Sequence, residues 1–325
     1  MQGRRSYIGQ PDEGESAGAA VHETIESSGP AIGQGLPPRA AVYSLFLCVL
    51  FGANAVAVKI GLAGLGVFTS AGVRFGVAAV TIWCWARLTG KTLSLTKGQC
   101  RQLAPLGLIF FAQLSLFYLG INRTTASHGT LITNALPFVV MVLAHLFLAD
   151  DRISLRKISG LILGFAGVLV LFVDTVGMSA AAVQGDLLIL LAVVVWGSNA
   201  VYSKRIIAAF QPLQFTVYPM LMAAPLFLLC GVLVDPIMIH HLDSAIVGSL
   251  FYQTFITAAF GMVAWNTLIK RYGATALHAF VFIMPISGVT LGVVLLGEPL
   301  TMNLMASIVL VSAGLVVINR TRPVI

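Results

Sequence analysis

The chain has 325 residues, of which 58% are hydrophobic and 10% charged, and its mean hydropathy is +0.94. This composition excludes an ordinary soluble globular domain and is typical of a polytopic membrane protein. The net charge of +7 comes from basic residues clustered between apolar segments, which indicates membrane topology rather than nucleic-acid binding.

Residues 1–38 differ from the rest because Gly, Ser, Pro and acidic residues dominate and apolar residues are few. The segment has neither the basic region nor the apolar core of a cleavable signal peptide. We expect a disordered cytoplasmic tail.

Ten apolar segments follow, each about the 20 residues that a helix needs to cross a bilayer. Their continuous hydrophobicity lacks the alternation of barrel strands, so the predicted fold class is an all-α integral membrane protein. The predicted spans lie near 41–63, 66–88, 103–121, 126–149, 155–173, 186–206, 212–234, 245–269, 273–296 and 300–319.

The basic residues predict the orientation of these spans. With the N-terminus inside, 16 of the 19 Lys and Arg residues lie on the cytoplasmic side. Both termini should therefore be cytoplasmic, in a multi-pass protein of a bacterial-type inner membrane.

The ten spans form two groups of five, and the first span of each group carries a similar line. Residues 51–59 read FGANAVAVK and residues 196–204 read WGSNAVYSK. An odd number of crossings per copy inverts the second copy, as in many alternating-access carriers. We expect repeats at 39–175 and 176–325.

A second match joins the fourth and ninth spans, which carry Pro137 and Pro285 at corresponding positions. Proline removes a backbone hydrogen bond and kinks a helix. The two prolines predict either a flexible, cavity-lining helix in each half or an ordinary packing kink.

These features together resemble the EamA family of the drug/metabolite transporter superfamily. The shared pattern is the aromatic-Gly-small-Asn line ending in Lys, an Arg in the second span, and a fourth span with a central Pro before an acidic residue. The resemblance covers about residues 41–320 and implies a ten-helix bundle whose central cavity opens alternately to each side, usually to export amino acids or related metabolites. Phe51, where Trp is common, and Asp150-Asp151, where Glu is usual, depart from the pattern.

Polar residues inside the spans are the candidate substrate-binding groups. All twelve acidic residues are expected in the tail, in loops or at span ends, whereas Arg74 lies about nine residues into the second span. Its guanidinium needs an anion or several carbonyls, so it binds either a substrate carboxylate or phosphate, or protein carbonyls and a loop acid such as Asp174 or Glu298.

Asn54 and Asn199 lie inside the first span of each repeat, where they either line the cavity or bond across helices. His128 and His278 are candidates for a proton role because histidine titrates near neutral pH, although they are not symmetry mates. Further polar or amphipathic groups that could surround a metabolite are Gln113, Tyr118, Asn134, Tyr252, Gln253, Trp265 and Asn266.

The main functional prediction is a secondary exporter of small anionic or zwitterionic metabolites, with a small-molecule substrate and the lipid bilayer as partners. A homodimer is left open as its oligomeric state. One alternative is a broad efflux carrier for drugs or neutral compounds. An intramembrane enzyme is disfavoured because the sequence has no HExxH, GxSxG or nucleotide-binding loop, and we expect no metal site or cofactor.

Overall fold

The computed structural model describes residues 37–147, 154–176, 179–272, 277 and 280–319. Within these ranges the regular structure is helical, and the β pairing is limited to an isolated bridge between Leu65 and Ile239. The predicted tail up to residue 36, His278, and the pair Asp150 and Asp151 lie outside the described residues.

Ten helical segments follow one another along the described chain. They are α1, Pro38–Leu62; α2, Val67–Leu88; α3, Lys97–Arg123; α4, Ala126–Phe147; α5, Leu155–Val176; α6, Ala180–Ile206; α7, Pro212–Val234; α8, Ser244–Ile269; α9, Ile283–Leu296; and α10, Met302–Asn319.

Nine of these segments within the described ranges are long and apolar enough to cross a membrane. The remaining one, α9, has 14 residues, and the six residues 273–276 and 278–279 before it are not described. Large apolar side chains such as Leu233 and Val294 are exposed on the outside of the bundle, as expected for surfaces that face lipid.

Two spans are interrupted and a third changes its helical type. In α1 the helix breaks at Ala53, directly before Asn54. In α4 it breaks between Thr133 and Leu136, close to Pro137, which has no N–H to donate to the Thr133 carbonyl.

Pro285 is the third residue of α9, so it also lies near the start of a helical piece. In α8 the ten residues Tyr252–Gly261 form a π-helix between two α-helical pieces. We call these ten residues the π-segment.

Polar side chains cap the N-terminal ends of several helices. Thr96 and Gln99 form a reciprocal capping box at α3, and Thr125 accepts from the His128 N–H at α4. Ser179 caps α6 in the same way, so that helix begins upstream of the predicted start at residue 186.

The most extensive helix contacts join the two predicted repeats. The pairs are α5 with α10, α3 with α6, α2 with α7, α1 with α8, α2 with α8, α3 with α7, α1 with α9, α4 with α6, and α4 with α9. The same set of pairs results when each helix is exchanged for its counterpart in the other repeat, α1 for α6, α2 for α7 and so on. The packing therefore follows a pseudo-two-fold pattern.

Candidate substrate site

Arg74 lies in the middle of α2, and its side chain is buried, with 6% exposure. Its Nη2 donates to Asn54 Oδ1 at 2.8 Å and to the Thr257 hydroxyl at 3.2 Å. Its Nη1 donates to the Tyr118 hydroxyl at 3.2 Å. The guanidinium therefore joins helices α1, α2, α3 and α8 at one point.

A second layer of hydrogen bonds holds these partners in place. The Tyr118 hydroxyl donates to Gln253 Oε1 at 3.2 Å, and the Thr257 hydroxyl donates to the Gln253 carbonyl at 2.8 Å. Gln253 Nε2 reaches the Ala57 carbonyl at 3.4 Å. Gln253 and Thr257 both belong to the π-segment, and π-helical turns frequently occur at functional sites.

The oxygens around Arg74 are neutral. Among the described residues, no carboxylate lies within ion-pairing distance of this guanidinium. A guanidinium has five N–H donors, and three hydrogen bonds engage Arg74 while its buried Nε has no partner in the described part of the chain. The Phe75 ring lies 4.8 Å from Cζ and contributes a cation–π contact. The arrangement leaves positive charge and donors available to an anion.

Asn199, the counterpart of Asn54 in the second repeat, forms a different polar pair with α3 of the first repeat. Asn199 Nδ2 donates to Gln113 Oε1 at 3.0 Å, and Ser203 donates to Asn199 Oδ1 at 3.3 Å. Asn199 and its partners Gln113 and Ser203 are neutral and include no guanidinium. The polar centre is therefore asymmetric in charge although the packing is nearly symmetric.

Other predicted site residues form hydrogen bonds or ring contacts with groups other than the guanidinium. The Tyr252 hydroxyl donates to the Leu50 carbonyl at 2.7 Å, and Trp265 packs edge-on against Phe51. Asn266 Nδ2 donates to the Thr216 hydroxyl at 3.0 Å.

Asn134 donates to the Thr130 carbonyl of its own helix at 2.8 Å. The structure therefore brings Arg74, Asn54 and Gln253 together and distributes these other candidates elsewhere. Thr257 was not among the sequence candidates, although it lies four residues after Gln253 and hence on the same side of a helix.

The expectation that no carboxylate lies inside a span was wrong for Asp186. Because α6 begins at Ala180, Asp186 lies within the helix and is completely buried. Its Oδ2 lies 2.8 Å from His128 Nδ1, and its Oδ1 accepts from the Thr124 hydroxyl at 2.6 Å. The buried carboxylate is tolerated because hydrogen-bonding partners from other helices surround it.

Charged side chains also cap helix ends across the bundle. Glu298 accepts from the backbone N–H groups of Ala126 and Ser127 at 2.6 and 2.8 Å, at the beginning of α4. Lys59 donates to the carbonyls of Ile121 and Thr124 at the end of α3. The carboxylate and the ammonium each complement the partial charge of the helix end that they contact. The Glu298 contact also joins the two repeats at one end of the bundle.

An apolar groove of about 530 Å³ lies between α1, α2 and α8. Its walls include Tyr43, Ile82, Trp85, Phe255 and Phe260, and we call it the α2–α8 groove. Trp85 lies eleven residues after Arg74 and so on the same side of α2, which places this groove along the helix face that carries the guanidinium.

The chain matches the model of the "EamA-like transporter family" twice, over residues 38–173 and 183–320. A "Probable amino-acid metabolite efflux pump" of Escherichia coli strain K12 is 28% identical over 284 residues, which cover 84% of this chain and 92% of that protein.

A "Probable terminal-alkyne amino-acid exporter" of Streptantibioticus cattleyicolor is 26% identical over 288 residues, covering 86% of this chain and 93% of that protein. A solved structure with 18% identity has a TM-score of 0.63 and covers 86% of this chain and 97% of that one, a similarity of fold. The chain therefore belongs to the EamA-like transporter family and is an integral, multi-pass membrane protein.

Proposed function

We propose that this transporter exports small metabolites that carry a carboxylate, amino acids among them, and that the substrate carboxylate binds Arg74. The observation that carries the proposal is the buried guanidinium surrounded by neutral oxygens, with Nε unpartnered in the described part of the chain. A buried charge without a counter-ion is costly, and a carboxylate would offset that cost through two parallel N–H···O bonds.

The proposed architecture is ten crossings in two inverted five-helix repeats, 39–175 and 176–325, with both termini cytoplasmic. The pseudo-two-fold exchange of helix contacts and the distribution of basic residues support it. Both repeats contribute to the site, since Arg74 and Asn54 come from the first and Gln253 and Thr257 from the second. Movement of one repeat against the other would therefore alter the contacts that hold the guanidinium.

In this topology the end of the bundle that carries Lys59, His128, Asp174 and Glu298 faces the outside, and we call it the Glu298 end. Glu298 joins it to the start of α4, and Asp235 joins the end of α7 to the start of α2 through Thr69. The structure then corresponds to a carrier whose outer end is closed. Two bacterial relatives, named as an efflux pump and an exporter, support the outward direction.

The proposal is tested with the Arg74→Gln and Arg74→Lys variants in proteoliposomes. Counterflow of radiolabelled amino acids and organic acids should fall by about 10- to 100-fold in Arg74→Gln, because a hydrogen bond to a charged group contributes about 1.5–3 kcal/mol. Arg74→Lys should recover only part of the loss, since an ammonium lacks the planar fork. Arg101→Gln, at an exposed position of α3, is the matched control and should transport normally.

Thermal unfolding of each variant in detergent separates a transport defect from misfolding. Equal counterflow by the wild type and a folded Arg74→Gln protein would remove Arg74 from substrate recognition. The α2–α8 groove supports the alternative of a carrier for neutral apolar compounds. In that case Arg74→Gln would leave efflux of such compounds unchanged, whereas Trp85→Ala, which removes a groove wall, would reduce it.

A further inference from the structure

A buried histidine bridges two carboxylates at the Glu298 end. His128 Nδ1 lies 2.8 Å from Asp186 Oδ2, and Nε2 lies 3.6 Å from Asp174 Oδ2. The His128 ring is 3% exposed and Asp186 is completely buried, while Asp174 is partly open to solvent. Because the two carboxylates approach opposite sides of the ring, they cannot converge on one metal ion with it.

This geometry depends on a proton. A neutral imidazole has one N–H and one bare nitrogen, and the bare nitrogen repels a carboxylate oxygen placed against it. Both contacts are attractive only when the ring is doubly protonated or one carboxyl group holds the proton. The contact at 3.6 Å is longer than a hydrogen bond. Loss of the proton makes one of the two contacts repulsive and so weakens the whole arrangement.

Neighbouring hydroxyl and amide groups fix the two carboxylates. Thr124 donates to Asp186 at 2.6 Å, and Thr301 donates to Asp174 at 2.8 Å. Asn303 lies 3.5 Å from the other oxygen of Asp174. The carboxylates are thus oriented independently of the histidine, whose ring lies between them.

Other charged groups border the arrangement from the surrounding helices. Glu298 binds the N–H groups one and two residues before His128, Lys59 binds the Thr124 carbonyl, and Arg123 is exposed at the end of α3. Glu298 and Lys59 have opposite charges and are each engaged by backbone groups. Asp174 and Asp186 contact the ring directly.

The same contacts join elements of both repeats. His128 on α4 meets Asp186 on α6, and Asp174 at the end of α5 meets Thr301 at the start of α10. An outward-open carrier must separate the repeats at this end. The proton holds His128 against Asp186 of the other repeat and against Asp174, which Thr301 of the other repeat also binds, so it favours the closed form.

We propose that His128, Asp186 and Asp174 form a proton-binding site that latches the Glu298 end closed. The proton enters from the solution on this side through Asp174, which is the partly exposed member, and returns to it when the latch opens. Acid solution favours the closed end and alkaline solution favours opening. The assignment of this end to the outside rests on the proposed function, but the latch itself does not.

The latch is tested without a substrate by hydrogen–deuterium exchange of the full chain in detergent. One linked proton changes an opening equilibrium by at most about tenfold per pH unit. After correction for intrinsic exchange, amides near residues 124–130 and 301–305 should exchange about tenfold or more faster at about pH 8 than at about pH 6. In His128→Gln this difference should disappear, because glutamine does not titrate.

His145→Gln is the matched control, since His145 is exposed at the opposite end of α4. It should retain the wild-type pH response. Asp174→Asn provides a second test that disturbs the buried core less, and it should speed exchange of the same amides at acid pH. An unchanged pH response in a folded His128→Gln protein, or in Asp174→Asn if the former does not fold, would overturn the proposal.

The counterflow assay distinguishes failure of the latch from failure of the proposed function. If hydrogen–deuterium exchange of His128→Gln keeps the wild-type pH response while counterflow still depends on Arg74, only the latch is refuted. If counterflow does not depend on Arg74 but hydrogen–deuterium exchange shows the expected pH response, which His128→Gln abolishes, only the substrate assignment is refuted.

Discussion

Two basic residues inside the spans have different surroundings. Lys59 donates to three backbone carbonyls near the end of α3, where a cation complements the helix dipole. Arg74 instead contacts side-chain oxygens from three other helices. Lys59 is therefore suited to stabilising a helix end, and Arg74 to binding a ligand reversibly.

Tyr118 is the residue that connects Arg74 to Gln253, and its hydroxyl is fully buried. We predict that Tyr118→Phe lowers the free energy of unfolding by about 1–3 kcal/mol, because Arg74 and Gln253 each lose a partner. Transport should fall as well, because the guanidinium becomes less fixed. Thermal unfolding and counterflow check both effects.

Tyr202→Phe is the control, since that hydroxyl donates to the Gln102 carbonyl away from the site. It should be close to wild type in both measurements. If Tyr118→Phe were as stable and as active as the control, the hydrogen bonds of the Tyr118 hydroxyl to Arg74 and Gln253 would have no role in stability or transport.

The sequence predicted some of the individual residues of the site. Arg74, Asn54 and Gln253 are recognisable because each is a large polar residue within an apolar span. Thr257 is not recognisable, since a threonine in a helix usually bonds its own backbone, and Thr257 does so as well as contacting Arg74. Asp186 was misplaced because a polar residue near the end of an apolar run shifts the predicted start of the helix.

The helices around the site are irregular where they meet Arg74. The break in α1 immediately precedes Asn54, and the π-segment carries Gln253 and Thr257. Non-α-helical backbone at membrane depth is tolerated where it is buried in protein or lines a cavity. The sequence located these spans from their hydrophobicity, but the widened turns depend on contacts between distant helices and could not be predicted.

Close backbone approach holds α5 against α10. A Cβ on Gly314 would lie 2.7 Å from the Gly160 carbonyl oxygen, and a Cβ on Gly160 would lie 2.9 Å from that of Gly314. Gly314→Ala should therefore force the helices apart and lower stability by about 1–3 kcal/mol. Thermal unfolding of the purified variant in detergent measures the change.

Gly248 of α8 is the matched control because a Cβ there meets nothing within 4 Å. Gly248→Ala should be neutral or stabilising by up to about 1 kcal/mol. Equal effects of the two substitutions would contradict the close packing of α5 and α10.

Over the whole molecule, the duplication visible in the sequence reappears as exchange symmetry in helix packing. The lines that begin at Phe51 and Trp196 predicted two related units, and the family model matches the chain twice. Which helices pair between the units was not predictable, because lipid-facing and buried faces are both apolar and periodicity does not separate them. Polar residues indicate which helices pair only where their side chains form hydrogen bonds between helices.

In the proposed topology the two five-crossing repeats are inverted around the Arg74 site. A protease-cleavable tag at each end of the full chain, tested in right-side-out spheroplasts, examines it most directly. Both tags should resist external protease and both should be cleaved once the membrane is permeabilised. Cleavage of one tag from outside while the other stays protected would place the termini on opposite faces and contradict the account.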